Sequence, residues 1–286
     1  TVVVNLDAST ATGTNGISQI ENVTGGSAGD QLTSDSTNNI LTGGLGDDTF
    51  IFLNGWGTDT VIEQAAGGTD TVDFSQVTNP LSIVSNGTTL TIGDGANTTT
   101  HTGIHIENIV GSATATNTLD MSSSATGREF TLTALGTHTG FKVDITGVGF
   151  FDNISALVGS SAGGDILNSL NAQSTWSIYT ITSVYTSTNA LDFSAIETVN
   201  AGSQIDAFTI NGSPTIGLNA GSGADSFTFS DGASLTGLID GQVGADALSF
   251  LPYTTARHVT LTSLGSTQGF NGTESALIGS FANISI

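Results

Sequence analysis

A nine-residue glycine–aspartate register constrains this chain more than any other feature. Residues Gly43-Gly44-Leu45-Gly46-Asp47-Asp48-Thr49-Phe50-Ile51 fit the pattern G-G-x-G-x-D-x-U-x, where U is a large apolar residue. Nine positions earlier stands a degraded copy with Asn39 in the Asp slot. Nine earlier again stands Gly25-Gly26-Ser27-Ala28-Gly29-Asp30-Gln31-Leu32. Looser echoes follow at Gly55–Val61 and Gly67–Val72; near the C-terminus Ala220–Phe227 and Gly241–Leu248 both fit again, with Ala201–Phe208 a weaker case. Asp206, Asp225 and Asp246 are spaced by 19 and 21 residues, about one turn of a coil. Eight aspartates (30, 48, 59, 70, 165, 206, 225 and 246) carry a large apolar residue two positions on. Such a register ties each polar turn to the start of a buried strand.

Short period-two runs, such as Val2/Val4/Leu6, Leu81/Ile83, Phe130/Leu132 and Val259/Leu261, predict strands with one buried face. Helix-forming Lys, Arg, Gln and Met are scarce, and turns recur too often for a useful helix. The expected fold is all-β: a parallel β-helix or β-roll solenoid of stacked coils. A string of Ig-like sandwiches is the rival, but it leaves the nine-residue register unexplained.

A longer period overlies the short one. Residues 117–141 align without gaps to 246–270, an offset of 129 that matches Arg128 to Arg257, Leu132 to Leu261 and Gly136 to Gly265. The organisation expected is a β-roll over residues 1–78, then a solenoid of degenerate repeats over 79–286. Related marks stand at Ile20-Glu21-Asn22-Val23, Ile106-Glu107-Asn108-Ile109 and Ile196-Glu197-Thr198-Val199. The chain opens inside a strand-like run and stops inside a motif that continues elsewhere, so it reads as part of something longer.

The 286 residues carry 25 acidic and three basic side chains, a formal charge of −22, and no cysteine. That balance argues against nucleic-acid binding. No run approaches the length of a membrane-spanning helix, so insertion is not expected. The acid excess is either solvated or neutralised by cations. In G-G-x-G-x-D the glycines free the backbone so that carbonyls turn inward, and the Asp adds carboxylate oxygen. Oxygen-only ligation suits calcium. The candidate ligand loops are Gly25, Gly26 and Asp30; Gly43, Gly44, Gly46 and Asp48; and Gly221, Gly223, Asp225 and Asp246. Alternate nonapeptides fall on one side of a roll, so Asp30 and Asp48 are expected to share an ion. Asp165, Asp206 and Asn117 read as plain turns.

The run from Ile20 to Phe52, then Trp56–Asp59 and Asp70–Phe74, resembles the haemolysin-type calcium-binding (RTX) repeats of very large bacterial surface proteins. The resemblance implies a parallel β-roll, secretion, and folding driven by extracellular calcium. The 129-residue units resemble repeats of giant adhesins, S-layer proteins and surface filaments. The expected role is therefore structural, with self-association into a filament or lattice, and a carbohydrate or cell-surface ligand as the alternative partner. Trp56, Trp176, Tyr179 and Tyr185 are the aromatic candidates for such a ligand.

An enzyme is not expected. Lyase chemistry on acidic sugars calls for a base and cationic stabilisers, and Arg128 and Arg257 occupy equivalent repeat positions, which suggests pairing with neighbouring carboxylates. No pair of carboxylates and no nucleophile–base pattern stands apart from the calcium loops.

Overall fold

In the computed structural model, which describes residues 1–65, 67–103 and 105–285, every regular element is a β-strand. The chain forms two compact units, Thr1–Ala125 with Ala134–Leu157, and Thr126–Thr133 with Val158–Ile286. Each is built from stacked coils whose strands pair in parallel with those of the next coil, so the expected β-solenoid is the fold observed. The unit boundary follows compactness, whereas the division expected after residue 78 follows repeat type.

In the first unit one sheet stacks Val3–Asn5, Gln31–Thr33, Thr49–Ile51, Thr71–Asp73, Asn108–Val110 and Gly149–Ile154, each pair parallel. The facing sheet stacks Asn22–Thr24, Ile40–Thr42, Thr58–Ile62 and Thr98–Thr102. Inward positions lie in register, so Leu32, Phe50 and Val72 form one buried column and Val23, Leu41 and Val61 another. Repetition of an apolar residue at a fixed place in each coil is what builds the core, since each coil covers the apolar face of its neighbour.

The second unit repeats the plan. Residues 129–131 pair with Ile166–Asn168, followed by Thr198–Asn200, Gly217–Asn219, Leu235–Asp240 and Leu277–Ile284. Opposite them run Ser174–Ile178, Asp206–Ile210, Ser226–Phe229 and Ala247–Ser249. In-register pairing stacks Trp176 on Phe208 and Phe208 on Phe227, with ring centroids 5.5 and 4.9 Å apart and planes 11° and 12° from parallel. Asn168, Asn200 and Asn219 form a second column, each amide bonded to the previous one at 2.8 Å.

The coils are interrupted by antiparallel meanders that the period-two reading did not anticipate. Leu81–Ser85, Thr89–Gly93 and Thr98–Thr102 form one, Ser174–Ile178, Ser183–Thr186 and Ala190–Ser194 another, and Thr260–Leu264, Phe270–Thr273 and Leu277–Ile284 a third, while Phe141–Ile145 likewise turns back antiparallel on Gly149–Ile154. The first turns back at Asn86-Gly87 and Asp94-Gly95, whose glycines hold φ of +90° and +92°, as tight hairpins require. The 129-residue repeat has a physical counterpart in these excursions. Asn153 and its equivalent Asn283 both adopt positive φ (65° and 55°), a conformation Asn tolerates. The amide oxygen of Asn153 accepts the His138 N–H at 2.9 Å, and that of Asn283 accepts the Thr267 N–H at 3.2 Å.

Candidate metal centre

At each corner of a coil the chain leaves one strand and turns toward the next, so the backbone N–H there lacks a strand partner. A buried N–H needs an acceptor. Here the acceptor is a carboxylate on the following coil. The Asp30 N–H donates to Asp48 Oδ1 at 2.6 Å, Asp48 N–H to Asp70 Oδ1 at 2.8 Å, and Asp70 N–H to Glu107 Oε2 at 2.8 Å. Asn39 N–H donates to Asp59 Oδ1 at the other corner. The second unit repeats this ladder: Arg128 N–H to Asp165, Asp165 N–H to Glu197 Oε2, Asp206 N–H to Asp225 and Asp225 N–H to Asp246. The eight aspartates of the repeat register are the buried aspartates among the described residues, whereas Asp152, which also stands two positions before an apolar residue (Ile154), is half-buried.

One carboxylate oxygen per rung is thereby satisfied, which leaves the fate of the other. Asp30 spends its second oxygen on the Gly26 N–H, and Oδ1 also accepts the Val2 N–H at 2.6 Å. Asp165 gives Oδ2 to the Ser160 N–H and hydroxyl at 2.9 and 2.8 Å. Asn117, within the first unit, bonds the Ser112 and Asn153 carbonyls. Oδ2 of Asp48, Asp59, Asp206, Asp225 and Asp246 is buried without a hydrogen-bond partner, as is Oε2 of Glu63. An orphaned buried carboxylate oxygen is costly unless a proton or cation compensates it.

Two of these oxygens, on Asp48 and Glu63, belong to a cluster with a third carboxylate. Asp48, Glu63 and Asp70, all buried, bring one ligand atom each within 4.8 Å of the others. Asp48 ends the loop that starts at Gly43, Glu63 directly follows the strand Thr58–Ile62, and Asp70 precedes Thr71–Asp73. A Cβ at Gly43 would collide with Glu63 Oε2 and Asp48 Oδ2, so glycine leaves the space into which both oxygens point. Gly44 and Gly46, at φ +112° and +100°, pass so close to Gly26 and Ala28 that a side chain there would strike backbone.

Electrostatics sharpen the picture. Burial pushes the Glu63 carboxyl up to about 7 against the Gln64 N–H, and the charges of Asp70 and Asp48 add to the rise. Burial likewise lifts Asp70 to about 6 despite the Asp48 N–H, helped by Glu107 and Asp48. Asp48 is raised by burial, with Asp30 and Asp47 contributing after the opposing Asp30 N–H. Ion pairs lie elsewhere, at the Thr1 amine with Asp30, Lys142 with Asp152 and Arg257 with Glu274. Three buried carboxylates with oxygen-only donors and an open cradle fit a hard divalent cation such as calcium, which takes 6–8 oxygens.

In the second unit, Gly221 (φ +88°) and Gly223 (φ +144°) lead into Asp225, which with Asp246 forms successive rungs of the ladder. Burial raises Asp225 to about 7 and also raises Asp246 and Asp206. A third carboxylate does not join them at ligand distance among the described residues. Arg257, by contrast, grips Glu274 through Nε and Nη2 at 2.8 and 3.0 Å and lies 4.3 Å from the Tyr253 ring centre. Of the aromatic candidates for a ligand face, Trp56, Trp176 and Tyr185 are buried, and Tyr179 is 47% exposed.

The sequence pattern marked Asp48 but assigned no role to Glu63. Glu63 belongs to no nonapeptide, and only the stacking of coils brings it beneath Gly43. Asp70 was visible as the rung of a loose copy. No protein-family model matches the chain, and no curated protein matches it.

Proposed function

We propose that this chain is a calcium-stabilised β-solenoid building block of an extracellular bacterial assembly, whether surface filament, S-layer or long adhesin. The observation that carries the reading is the convergence of Asp48, Glu63 and Asp70, with two buried oxygens that have no protein partner. Calcium at this point would be held by those three side chains and would bridge neighbouring coils, because the ligands come from different turns of the solenoid. It would neutralise carboxylates that otherwise repel one another in a low-dielectric site. Where calcium is scarce the same carboxylates oppose folding, so the chain would complete its fold outside the cell. The resemblance of Ile20–Phe52 to RTX repeats and the formal charge of −22 support this reading.

Thermal melting in millimolar-range calcium and in excess chelator tests it, using the native chain and Glu63→Gln. Calcium should raise the melting temperature of the native chain, with a stabilisation of about 3–4 kcal/mol if the ion is present at 100–1,000 times its dissociation constant. In Glu63→Gln that rise should shrink sharply. In chelator the variant should melt at the same or a higher temperature, since it removes a buried charge without a partner. A native chain indifferent to calcium would sink the proposal.

A further inference from the structure

The first unit breaks its own pattern at one inward position. Val23, Leu41 and Val61 follow one another in register up one sheet, and the next strand sets His101 beside Val61. The imidazole takes a place where each preceding coil buries an aliphatic side chain, and it is 4% exposed. Its Nδ1 lies 3.1 Å from the Val61 carbonyl oxygen. A carbonyl can only accept, so this pairing puts the proton on Nδ1 and leaves Nε2 with its lone pair. That Nε2 is buried without a hydrogen-bond partner. Burial holds the imidazole below its ordinary pKa, against the Val61 bond, so it is neutral near pH 7. A histidine kept for packing alone would leave this polar atom uncompensated, at a cost in stability.

A second imidazole stands across from that nitrogen. His105 is half-buried in the segment between Thr98–Thr102 and Asn108–Val110, and its ring centre lies 6.4 Å from that of His101, with the planes at 75°. A Cβ on Gly103 (φ +125°) would stand 3.2 Å from His105 Nε2 and 3.4 Å from His101 Nε2, so both nitrogens border the space that this glycine leaves open. A cavity of about 20 Å³ adjoins His101 and Gly103, and buried Ser85 is the other polar side chain on its wall. That volume suits a single occupant of the size of a water or an ion. The Glu107 carboxylate lies close enough for its negative charge to act on His101. An imidazole whose Nδ1–H is held by a backbone carbonyl, and whose Nε2 is left open, is oriented as metal-binding histidines are.

We propose that His101 and His105 together hold one divalent transition-metal ion, of the zinc, nickel or copper type, through their Nε2 atoms. Imidazole nitrogen suits these ions, whereas calcium takes oxygen, so the site differs in chemistry from the carboxylate cluster and does not depend on it. Two imidazoles on one ion, at bonds of about 2.0–2.1 Å, set their ring centres roughly 5–6 Å apart, so His105 closes by roughly 1 Å on binding. It is free to do so because it lies outside any strand. With two protein ligands, the remaining positions are left to water. The ion ties the last strand of the first meander to the segment that carries the chain across to Asn108–Val110 in the facing sheet.

Isothermal titration of the metal-stripped chain with Zn²⁺, and electron paramagnetic resonance of the chain loaded with Cu²⁺, test this directly. His138 and His258 are exposed and supply the background, so both measurements are made with these two changed to Gln. That chain should take up one Zn²⁺, and its copper spectrum should show coupling to two imidazole nitrogens. His105→Ala, a change outside the strands that leaves the core intact, should weaken Zn²⁺ binding by roughly tenfold or more and reduce the copper coupling to one nitrogen. His101→Leu restores the aliphatic column, so it should abolish binding yet melt in chelator no lower than the native chain. Glu63→Gln, which alters the carboxylate cluster instead, should leave Zn²⁺ binding unchanged. No uptake of Zn²⁺, which would mean that the cavity holds water alone, would overturn the proposal. So would binding that survives His105→Ala, or binding that is lost in Glu63→Gln.

Discussion

At the scale of single residues, the chain uses carboxylates in two opposite ways. At Asp48, Asp59, Glu63, Asp225 and Asp246 the carboxylate accepts a backbone N–H and keeps one buried oxygen without a hydrogen-bond partner, so burial lifts it. Asp59, Glu63 and Asp225 are each pushed up to about 7. At Glu274 burial also acts to raise the carboxyl, but the Arg257 guanidinium and the Ala276 N–H outweigh it and bring it down to about 2. Its ordinary value is 4.5. A depressed carboxyl stabilises the fold fully above its unfolded value and loses that contribution as pH falls through its folded value. Glu274→Gln should therefore melt a few degrees below the native chain above pH 4.5, and the difference should close as pH falls toward 2. A difference that is constant across this range would show that packing, and not the ion pair, is responsible. The equivalence of Arg128 and Arg257 in the long repeat pointed to such pairing for Arg257, and the 2.8 Å contact with Glu274 bears it out.

At the scale of elements, stability resides in columns running from coil to coil. Phe208 lies between Trp176 and Phe227, flat against both, and is 1% exposed. Truncating it opens a cavity in the middle of a stack whose neighbours are fixed by backbone pairing and cannot close in. Phe208→Ala should cost about 3–5 kcal/mol by denaturant unfolding. The calcium-dependent rise in melting temperature should survive, since its ligands belong to the first unit. The strand register and the buried aspartates could be read from the sequence because both follow from one repeated pattern. The meanders could not be read in the same way. Their strands carry the same alternation as the coil strands, and only a tight turn distinguishes a chain that doubles back from one that continues around the coil. Asn86-Gly87 and Asp94-Gly95 were the available signals for the first meander, whereas Thr180–Thr182 at the second offers nothing comparable.

At the scale of the whole molecule, the charge of −22 is spread over many rungs, yet the convergent oxygens lie in one set of coils. Hydrogen exchange should therefore show calcium-dependent protection concentrated between Gly43 and Asp73, with little change around the Trp176–Phe208–Phe227 stack. Uniform protection across both units would mean that cations also occupy the Asp206–Asp225–Asp246 ladder. The sequence by itself determined the all-β class, the parallel stacking and the eight buried aspartates, because a side chain repeated at a fixed interval must recur at a fixed place in the coil. The tertiary structure alone decided which of those aspartates keep a free oxygen. Asp30 loses its oxygens to the Gly26 and Val2 N–H groups, and Asp165 closes on Ser160, while Asp48 finds Glu63, fifteen residues on and outside the repeat. Which acceptor meets which donor depends on distances between neighbouring coils, and no local pattern in the chain encodes those distances.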